Sequence, residues 1–421
     1  RSIIEAQQTI RIPFTVAGLT DPRDSVSLAM SWMSRPWQPF FEQINLEAAT
    51  VPKIETGNAN WDKLLDLSYS QLLNAFMRPT DSLPHASYVA VRAVNRGWSP
   101  SGDGRDHIRT WSGQDPTLAY LTVPALANID AQLAKGVILN YLSTQDDHGF
   151  VDRQPGLAGQ RSGELMVPTL ARMAWMIAEQ TDDTAFMTET FPKLKAFFNR
   201  WLHEDMDADG DGVPEWTSER QMGYVAFPTF AKGQAWGQGA NINQTETPDL
   251  LAYLISESSA LIDMATRIGE NADDLTTIRA QLEAHLDTLW DGTRYTYRDR
   301  DTHLTTNSVD LLHDADGDEQ HMINRTLLAQ NRVIVRIIGG INHRPKIKLT
   351  LTGKNADGQA VTITAETDDF LWLNRQGVYI SSQALSHIDT IQVDGLSRVY
   401  KIHAQTIDTT HLDINHLMPL W

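Results

Sequence analysis

Asp205-Met-Asp-Ala-Asp-Gly-Asp-Gly-Val-Pro-Glu-Trp216 is the stretch from which the rest of the chain is best understood. It directly follows a segment, 185–203, with the apolar spacing of an amphipathic helix, so it lies at a helix C-terminal end. Asp207, Asp209 and Asp211 alternate like the first three ligands of a calcium loop, and a glycine follows where the turn is sharp. The stretch therefore predicts a loop for a hard cation or a polar substrate.

The closing position of this loop leaves two interpretations open. An EF-hand ends with a glutamate at loop position twelve, where this chain has Ser218, but Glu215 can take its place. The candidate metal ligands are therefore Asp207, Asp209, Asp211 and Glu215, and the candidate ion is Ca²⁺. The alternative is an acidic turn whose carboxylates accept hydrogen bonds from nearby backbone N–H groups. No organic cofactor is expected, because the chain has no phosphate loop or dinucleotide fingerprint.

Helical periodicity extends to both sides of the loop. Apolar residues fall at three- and four-residue spacing from Trp61 to Phe76. Helices are predicted at 24–33, 115–127, 130–146, 162–181, 185–203, 249–270 and 273–290. Their short connections favour antiparallel pairs packed side by side. Asp183 and Asp273 are predicted N-caps, and Thr247 precedes a proline at the first helical position.

A second period appears near the C-terminal end of the chain. From about residue 331 to 410 the segments alternate or are β-branched, which predicts a small antiparallel β domain inserted in the helical one. Residues 1–55 contain one strand-like segment, Thr9–Val16, and are interpreted as the exit of another β domain followed by a linker. Residues 56–330 form the helical domain, and 411–421 return towards it.

Composition narrows the possible partners. The net charge is −18, with 53 acidic and 35 basic residues, which disfavours nucleic acid and anionic membranes. No apolar run is long enough to span a bilayer, and the absence of Cys excludes thiolate chemistry. The first residues do not form a signal peptide, so a cytoplasmic location is favoured over secretion.

Several segments, taken in order, carry a resemblance to a known family. They are Arg109–Asp115, Ile129–Asn140, Gln160-Arg161, the acidic loop, Gln221–Gly223, Glu246–Asp249 and Leu289–His303. Over residues 60–300 this series resembles glycoside hydrolase family 63 and its bacterial glucosidase- or debranching-like relatives. The resemblance implies an (α/α)6 toroid and inverting hydrolysis of α-glycosides, usually α-glucosides. About seven helices are predicted between residues 61 and 290 where twelve are needed, so a C-terminal segment or a second chain is expected to complete the toroid.

The resemblance also implies roles for particular residues. Asp115 with Trp111 resembles the family's sugar clamp, and Gln114 and Gln221 are candidate substrate contacts. The alternative for Asp115 is a plain helix N-cap, and both can hold at once. Glu246 is the candidate general acid, because burial in a cleft would raise its pKa. The expected ligand is an oligosaccharide or a small glycoside.

The chain departs from the family pattern at the expected acid. There the family has a carboxylate, whereas this chain has Val225 and Ala226, and the general base is expected beyond residue 421. The alternative function is therefore a carbohydrate-binding protein of hydrolase descent without turnover. The run Tyr295–His303, with its alternating charges, is interpreted as an exposed segment of ion pairs.

Overall fold

The computed structural model describes residues 14–18, 21–39, 41–42, 51, 53–89, 113–222, 227–234, 236–317, 319–339, 344–373 and 375–420. Within these ranges the chain combines α-helices with antiparallel sheets. No helix there has the length and apolar character needed to cross a lipid bilayer. Phe14–Val16, the described part of the predicted N-terminal strand, lies outside any strand.

The helices lie close to the predicted ones. They are α1 Pro22–Met33, α2 Ala59–Asn74, α3 Pro116–Ala127, α4 Ala131–Leu142, α5 Leu170–Thr181, α6 Thr184–Trp201, α7 Pro248–Ile268 and α8 Asp273–Thr288. One start was predicted too early, because 162–169 is not helical: Leu165 forms a β-bridge with Asp152, and Met166 donates to Val151.

The helix starts follow local side-chain chemistry in most cases. Asp115, Asp130 and Asp183 each accept a backbone N–H of the first turn and so cap α3, α4 and α6. The prediction for Asp273 is wrong, because it is the first residue of α8, after Ala272 at the N-cap. Thr247 occupies the N-cap of α7, although its hydroxyl makes no capping bond.

The helices pack as three hairpins in two layers. α3, α5 and α7 contact one another in sequence, and α4, α6 and α8 pack outside them as their hairpin partners. One continuous apolar core fills the space between the layers, with Trp201, Trp216, Tyr141 and Phe198 fully buried in it. Burial of side chains of this size provides the main stabilising term for the layers. The arrangement brings the N-terminal ends of α3, α5 and α7 to one side of the helical body.

Thirteen strands are present in the described ranges. They are β1 Phe76–Met77, β2 Ser87–Tyr88, β3 Thr245–Glu246, β4 Arg298–Asp299, β5 Asp310–Asp316, β6 Gln320–Asn331, β7 Val333–Ile338, β8 Lys348–Lys354, β9 Ala360–Glu366, β10 Leu371–Leu373, β11 Gln376–Ile380, β12 Leu385–Asp394 and β13 Lys401–Thr406. β5 to β13 form two antiparallel sheets, in the orders β10-β11-β7-β13-β5 and β6-β12-β8-β9. This β sandwich has its own apolar core and includes two strands, β5 and β6, that begin before residue 331.

β7 shows how the sandwich joins the helical body. Val333, Val335 and Ile337 point into the sandwich core, whereas Ile334 belongs to the apolar core of the helices. Alternation along a strand sends successive side chains to opposite faces of the sheet. The five-stranded sheet is therefore packed on both faces, and the sandwich is docked onto the helical body.

Candidate functional site

The acidic loop is a tightly closed turn. Glu215 donates its backbone N–H to the carbonyl of Met206, at 2.8 Å, which brings the two ends of the loop together. The two carboxylate oxygens of Asp207 accept from the backbone N–H groups of Gly210 and Gly212, each at 2.8 Å. Both glycines have positive φ angles, 78° and 90°, which L side chains rarely adopt. These bonds are the ones expected of the acidic-turn alternative, and they leave lone pairs on the carboxylates.

Three of the four predicted metal ligands converge. Asp207, Asp209 and Glu215 each offer a carboxylate oxygen, and these atoms lie within 4.8 Å of one another. Glu215 is 5% exposed, and its buried Oε1 has no hydrogen-bond partner among the residues that the structure describes. Burial raises the pKa of Glu215 to about 8, despite a hydrogen bond from the Ala208 amide. The cost of ionising this buried carboxyl is the kind of cost that a bound cation removes.

Asp211, the fourth predicted ligand, lies nearer to a second group of charges. Its Oδ2 is 3.7 Å from both Arg298 Nη2 and His303 Nδ1. Glu246 forms an ion pair with Arg298, and its Oε1 is hydrogen-bonded to His303 Nδ1 at 2.9 Å. Burial raises the pKa of Glu246 to about 7, although the nearby arginine lowers it. We call Asp211, Glu246, Arg298 and His303 the Glu246 cluster.

The Glu246 cluster corrects the interpretation of Tyr295–His303 as an exposed run of ion pairs. Tyr297 is fully buried, Asp299 is 9% exposed and the Arg298 side chain is 12% exposed. β4 pairs with β3, and Glu246 lies directly opposite Arg298 in the register. The alternating charges are therefore partners of buried groups distant in the sequence, which no local pattern reveals.

A cleft of about 170 Å³ opens at the N-terminal ends of α3, α5 and α7. Its lining residues are mostly apolar or aromatic, with a few neutral polar groups: Pro116, Thr117, Tyr120, Leu121, Val167, Thr169, Gln221, Met222, Tyr253, Ile414, Asn415, Leu417 and Met418. Aromatic faces with hydroxyl and amide groups suit a ligand that has both C–H surfaces and hydroxyls. Sequence reasoning missed Tyr120, Tyr253 and Asn415, because nothing local distinguishes them from core residues.

The predicted sugar-binding residues have different surroundings in the structure. Asp115 is the N-cap of α3, and its Oδ1 accepts the Leu118 amide at 3.0 Å, next to Pro116 on the cleft wall. Gln114 is fully buried and bonds to the Val137 carbonyl and to Asn140. Trp111 lies outside the described residues, and so do Val225 and Ala226 at the expected acid position.

The side chain of Gln221 is hydrogen-bonded to backbone groups beside the cleft. Its Oε1 accepts from the amides of Thr217 and Ser218, and its Nε2 donates to the Leu165 carbonyl at 3.1 Å. The side chain has no solvent exposure, although the residue contributes to the cleft lining. These bonds hold the end of the acidic loop against the segment before α5, so Gln221 shapes the cleft wall.

Two buried carboxylates on α7 complete the surroundings. Asp249, interpreted above as part of the helix start, is 1% exposed, and burial raises its pKa to about 6. Glu257 accepts the Ala171 and Arg172 amides at 2.9 and 2.8 Å, which are first-turn N–H groups of α5. Glu257 therefore caps α5 from a neighbouring helix. It takes the place of Thr169, which occupies the N-cap but makes no capping bond. Sequence reasoning missed this contact, because it joins residues 86 positions apart.

Parts of this chain match known proteins. A family model for the mannosylglycerate hydrolase MGH1-like glycoside hydrolase domain matches residues 118–329, half of the chain. An uncharacterized conserved protein from Thermus thermophilus matches at 16% identity and a TM-score of 0.41, covering 55% of this chain and 65% of that one. The GH63 mannosylglycerate hydrolase from the same organism, in complex with glucose, matches at 16% identity and a TM-score of 0.42, covering 55% and 66%. The chain thus spans just under two thirds of each of these structures.

Proposed function

This chain belongs to the family of mannosylglycerate hydrolase MGH1-like glycoside hydrolase domains, and on that basis we propose that it hydrolyses glycosidic bonds. The observation that carries the proposal is the family match, because it covers α4 to α8, the acidic loop and the Glu246 cluster. The cleft supports it, since its tyrosines and neutral polar groups suit a sugar. The matching substrate class is an α-glucoside or a related α-glycoside, cleaved with inversion.

The arrangement of the helices fits the same proposal. We propose that α3, α5 and α7 belong to the inner ring of an (α/α)6 toroid and that α4, α6 and α8 belong to its outer ring. Alternate helices contact one another in sequence, as such a ring requires. The cleft then lies at one mouth of the ring, where helix N-termini converge on bound hydroxyls.

Asp115 is proposed to hold a sugar hydroxyl beside the cleft while it caps α3. Asn is as good an N-cap as Asp but carries no charge, so Asp115→Asn separates the two roles. We expect Asp115→Asn to preserve the melting temperature and to reduce the stabilisation produced by a protonated iminosugar. Asp130→Asn at the start of α4 is the matched control, because Asp130 also caps a helix, whereas the residues that follow Asp115, and not those that follow Asp130, line the cleft. Equal ligand-induced shifts in both variants would remove the sugar role.

Glu246 is proposed as the general acid, since a pKa of about 7 suits proton donation near neutral pH. Its oxygens are engaged by Arg298 and His303, so a purely architectural role is the competing explanation. Glu246→Gln should lower kcat by about 10²–10⁴-fold on a substrate with a poor leaving group. A dinitrophenyl glycoside needs little acid assistance, so the variant's kcat on this substrate should stay close to that of the wild type. Equal losses on both substrates would assign Glu246 to architecture alone.

A second candidate function is carbohydrate binding without turnover. It is favoured by the described cleft lining, which includes no Asp or Glu, and by Val225 and Ala226 in the sequence. Inverting hydrolysis requires a pair of carboxyls about 6.5–9.5 Å apart across the bond. Incubating the full-length gene product with α-glucosides and α-mannosides decides between the two. Ligand-induced stabilisation without released sugar would select the binding function.

We further propose that Asp207, Asp209 and Glu215 hold a Ca²⁺ ion, with Asp211 at its edge. The unpartnered, buried Oε1 of Glu215 supports this more strongly than the acidic composition of the loop. A chelator should lower the melting temperature, since an ion that binds only the folded chain stabilises it. Glu215→Gln should abolish that shift, and Glu219→Gln, outside the ligand group, should retain it. A wild-type melting temperature that is insensitive to chelator would support the alternative interpretation, an acidic turn without a bound ion.

A further inference from the structure

The outer face of the five-stranded sheet holds one particular stretch of the helical body. Residues 227–234 and 236–240, here the connecting segment, follow directly after the expected acid position. Arg336 on β7 donates through Nη1 to the Lys232 carbonyl at 2.7 Å and through Nη2 to the Gly237 carbonyl at 2.8 Å. Gln376 on β11 donates to the Gly233 carbonyl at 2.7 Å. Three carbonyls of one segment are thus bound by side chains of the sandwich.

The backbone of the connecting segment lies directly on the sheet. A Cβ at Gly239 would be 2.1 Å from Ile334 Cδ1, and the φ angle of Gly239 is 86°. A Cβ at Gly233 would be 2.4 Å from Leu373 Cδ2. The φ angle favours glycine at 239, and at both positions a side chain would have to displace a terminal methyl group of the sheet.

The connecting segment in turn contacts the rim of the cleft. Thr229 donates to Asp413 at 2.8 Å, and both side chains are buried. The amide of Ala240 bonds to the Thr229 carbonyl at 2.9 Å, which closes the segment on itself. Asp413 lies one residue before Ile414 and two before Asn415, which line the cleft. A displacement of the segment would therefore reach the cleft through residues 413–415.

A second arginine connects β7 to the Glu246 cluster. Arg332, which immediately precedes β7 and is 3% exposed, donates through Nε to Asp299 Oδ2 at 2.5 Å. It also forms an ion pair with Asp301. Asp299 follows Arg298 in β4, and Arg298 is the partner of Glu246. Arg336 on β7 is therefore linked to the cleft rim through the connecting segment. Arg332, just before β7, is linked to the Glu246 cluster through Asp299, the neighbour of Arg298.

We infer that the β sandwich is a positioning brace for the candidate site, with Arg336 as its principal positioning residue. If the sandwich only had to adhere to the helical body, apolar side chains such as Ile334 would be sufficient. A guanidinium has a rigid fork of donors, so its bonds to residues 232 and 237 fix the distance between those two carbonyls. The brace rests on the proposed function only in taking the cleft as the site.

The first test follows the connecting segment itself. The chain has no Cys, so Trp236→Cys, at a position that is 53% exposed, gives a single attachment point for a nitroxide label. Adding Arg336→Ala should raise the mobility of this label in the full chain. Arg325→Ala, an exposed arginine of β6 in the other sheet, is the matched control and should leave it unchanged. An unchanged spectrum with Arg336→Ala would overturn the brace.

A second label distinguishes positioning from general loosening. Met322→Cys, 73% exposed on β6, reports on the sandwich away from the helical body. With Arg336→Ala its spectrum should stay constant, and equal mobilisation at both labels would mean that the arginine stabilises the sandwich as a whole. Gln376→Ala removes one carbonyl contact instead of two, and it provides the same comparison should Arg336→Ala fail to fold.

Ligand measurements then connect the brace to the cleft. Arg336→Ala should weaken iminosugar binding about tenfold, Arg336→Lys, with a single donor group, should fall between it and the wild type, and Arg325→Ala should not differ from the wild type. If the chain lacks turnover, the label and binding results still test the brace. Mobilised labels with unchanged ligand affinity would show that the segment is held but that the cleft does not depend on it, and this outcome would overturn the positioning role.

Discussion

The cleft and the Glu246 cluster lie on the same helical body but differ in chemistry. The described cleft lining is made of aromatic, apolar, hydroxyl and amide groups, whereas the cluster combines two carboxylates, an arginine and a histidine. Within the acidic loop, Asp207 accepts from loop amides, and Asp211 lies 3.7 Å from Arg298 and His303. Under the proposed function, neutral groups of the cleft would contact the ligand, and the cluster would supply the charged side chains beside it.

The largest expected effect breaks the cluster. At a pH above its pKa of about 7, Glu246 is ionised and 1% exposed, and Arg298→Ala leaves it without its principal counter-charge. An unpaired buried charge typically costs about 3–5 kcal/mol. Urea unfolding should show a loss of that size. Arg279→Ala, which removes an exposed pair with Glu283 on α8, should change the unfolding free energy by no more than about 0.5 kcal/mol. Similar losses in the two variants would mean that the cluster is no different from a surface ion pair.

The next effect concerns pH and the acidic loop. The folded-state pKa of Glu215 is raised to about 8, so its contribution to stability is complete below about pH 4.5 and is lost as the pH rises through 8. Ca²⁺ binding requires the ionised carboxylate, so the calcium-induced stabilisation should grow over the same range. At a hundredfold excess over Kd it reaches about 2.7 kcal/mol. Calorimetry with and without Ca²⁺ across roughly pH 6 to 8 measures it, and a pH-independent increment would exclude Glu215 as a ligand.

A smaller effect is expected in the cleft. Tyr253→Ala removes an aromatic face from the lining and should weaken ligand binding by about 1 kcal/mol, roughly fivefold in Kd. Tyr295→Ala, a tyrosine that packs on Trp290 away from the lining residues, should leave Kd unchanged. Isothermal titration with an iminosugar below the melting transition measures both. Equal affinities in the two variants would place the ligand elsewhere.

The smallest effect isolates the cap at the edge of the cleft. Asp115→Ala removes the acceptor for the Leu118 amide and should cost about 1 kcal/mol of stability. Asp115→Asn should cost only a few tenths, because an amide oxygen caps equally well. Thermal unfolding without ligand gives both values. A large loss with Asn would show that the charge of Asp115, rather than its capping bond, stabilises the fold.

The local elements of this fold could be predicted because their causes are local. Asp183 caps α6 as predicted, and the interval 115–127 matches α3 to within one residue. A strand at β7 was also evident from the β-branched residues of its sequence. Less local features were misjudged: the pattern from 162 is helical in spacing, yet residues 165–166 pair with 151–152 before α5 begins.

The candidate site was predictable only in outline. The acidic loop was found because its ligand spacing is local, within residues 207–215, and three of its four carboxylates do converge. The cleft was missed, since Tyr120, Tyr253 and Asn415 come from three distant elements. The pairing of Glu246 with Arg298 was missed for the same reason.

The sequence alone determined the approximate positions of most helices, several of their caps and the existence of an acidic loop, because each depends on side chains a few residues apart. Only the tertiary structure decided which charges are buried and which segments the sandwich holds. Arg332 and Arg336 are four residues apart, a spacing that two solvent-facing side chains of a strand would also have. In the folded chain, however, Arg332 binds carboxylates and Arg336 binds backbone carbonyls. Burial and pairing depend on chain segments that meet only after folding, and a one-dimensional pattern does not contain those distances.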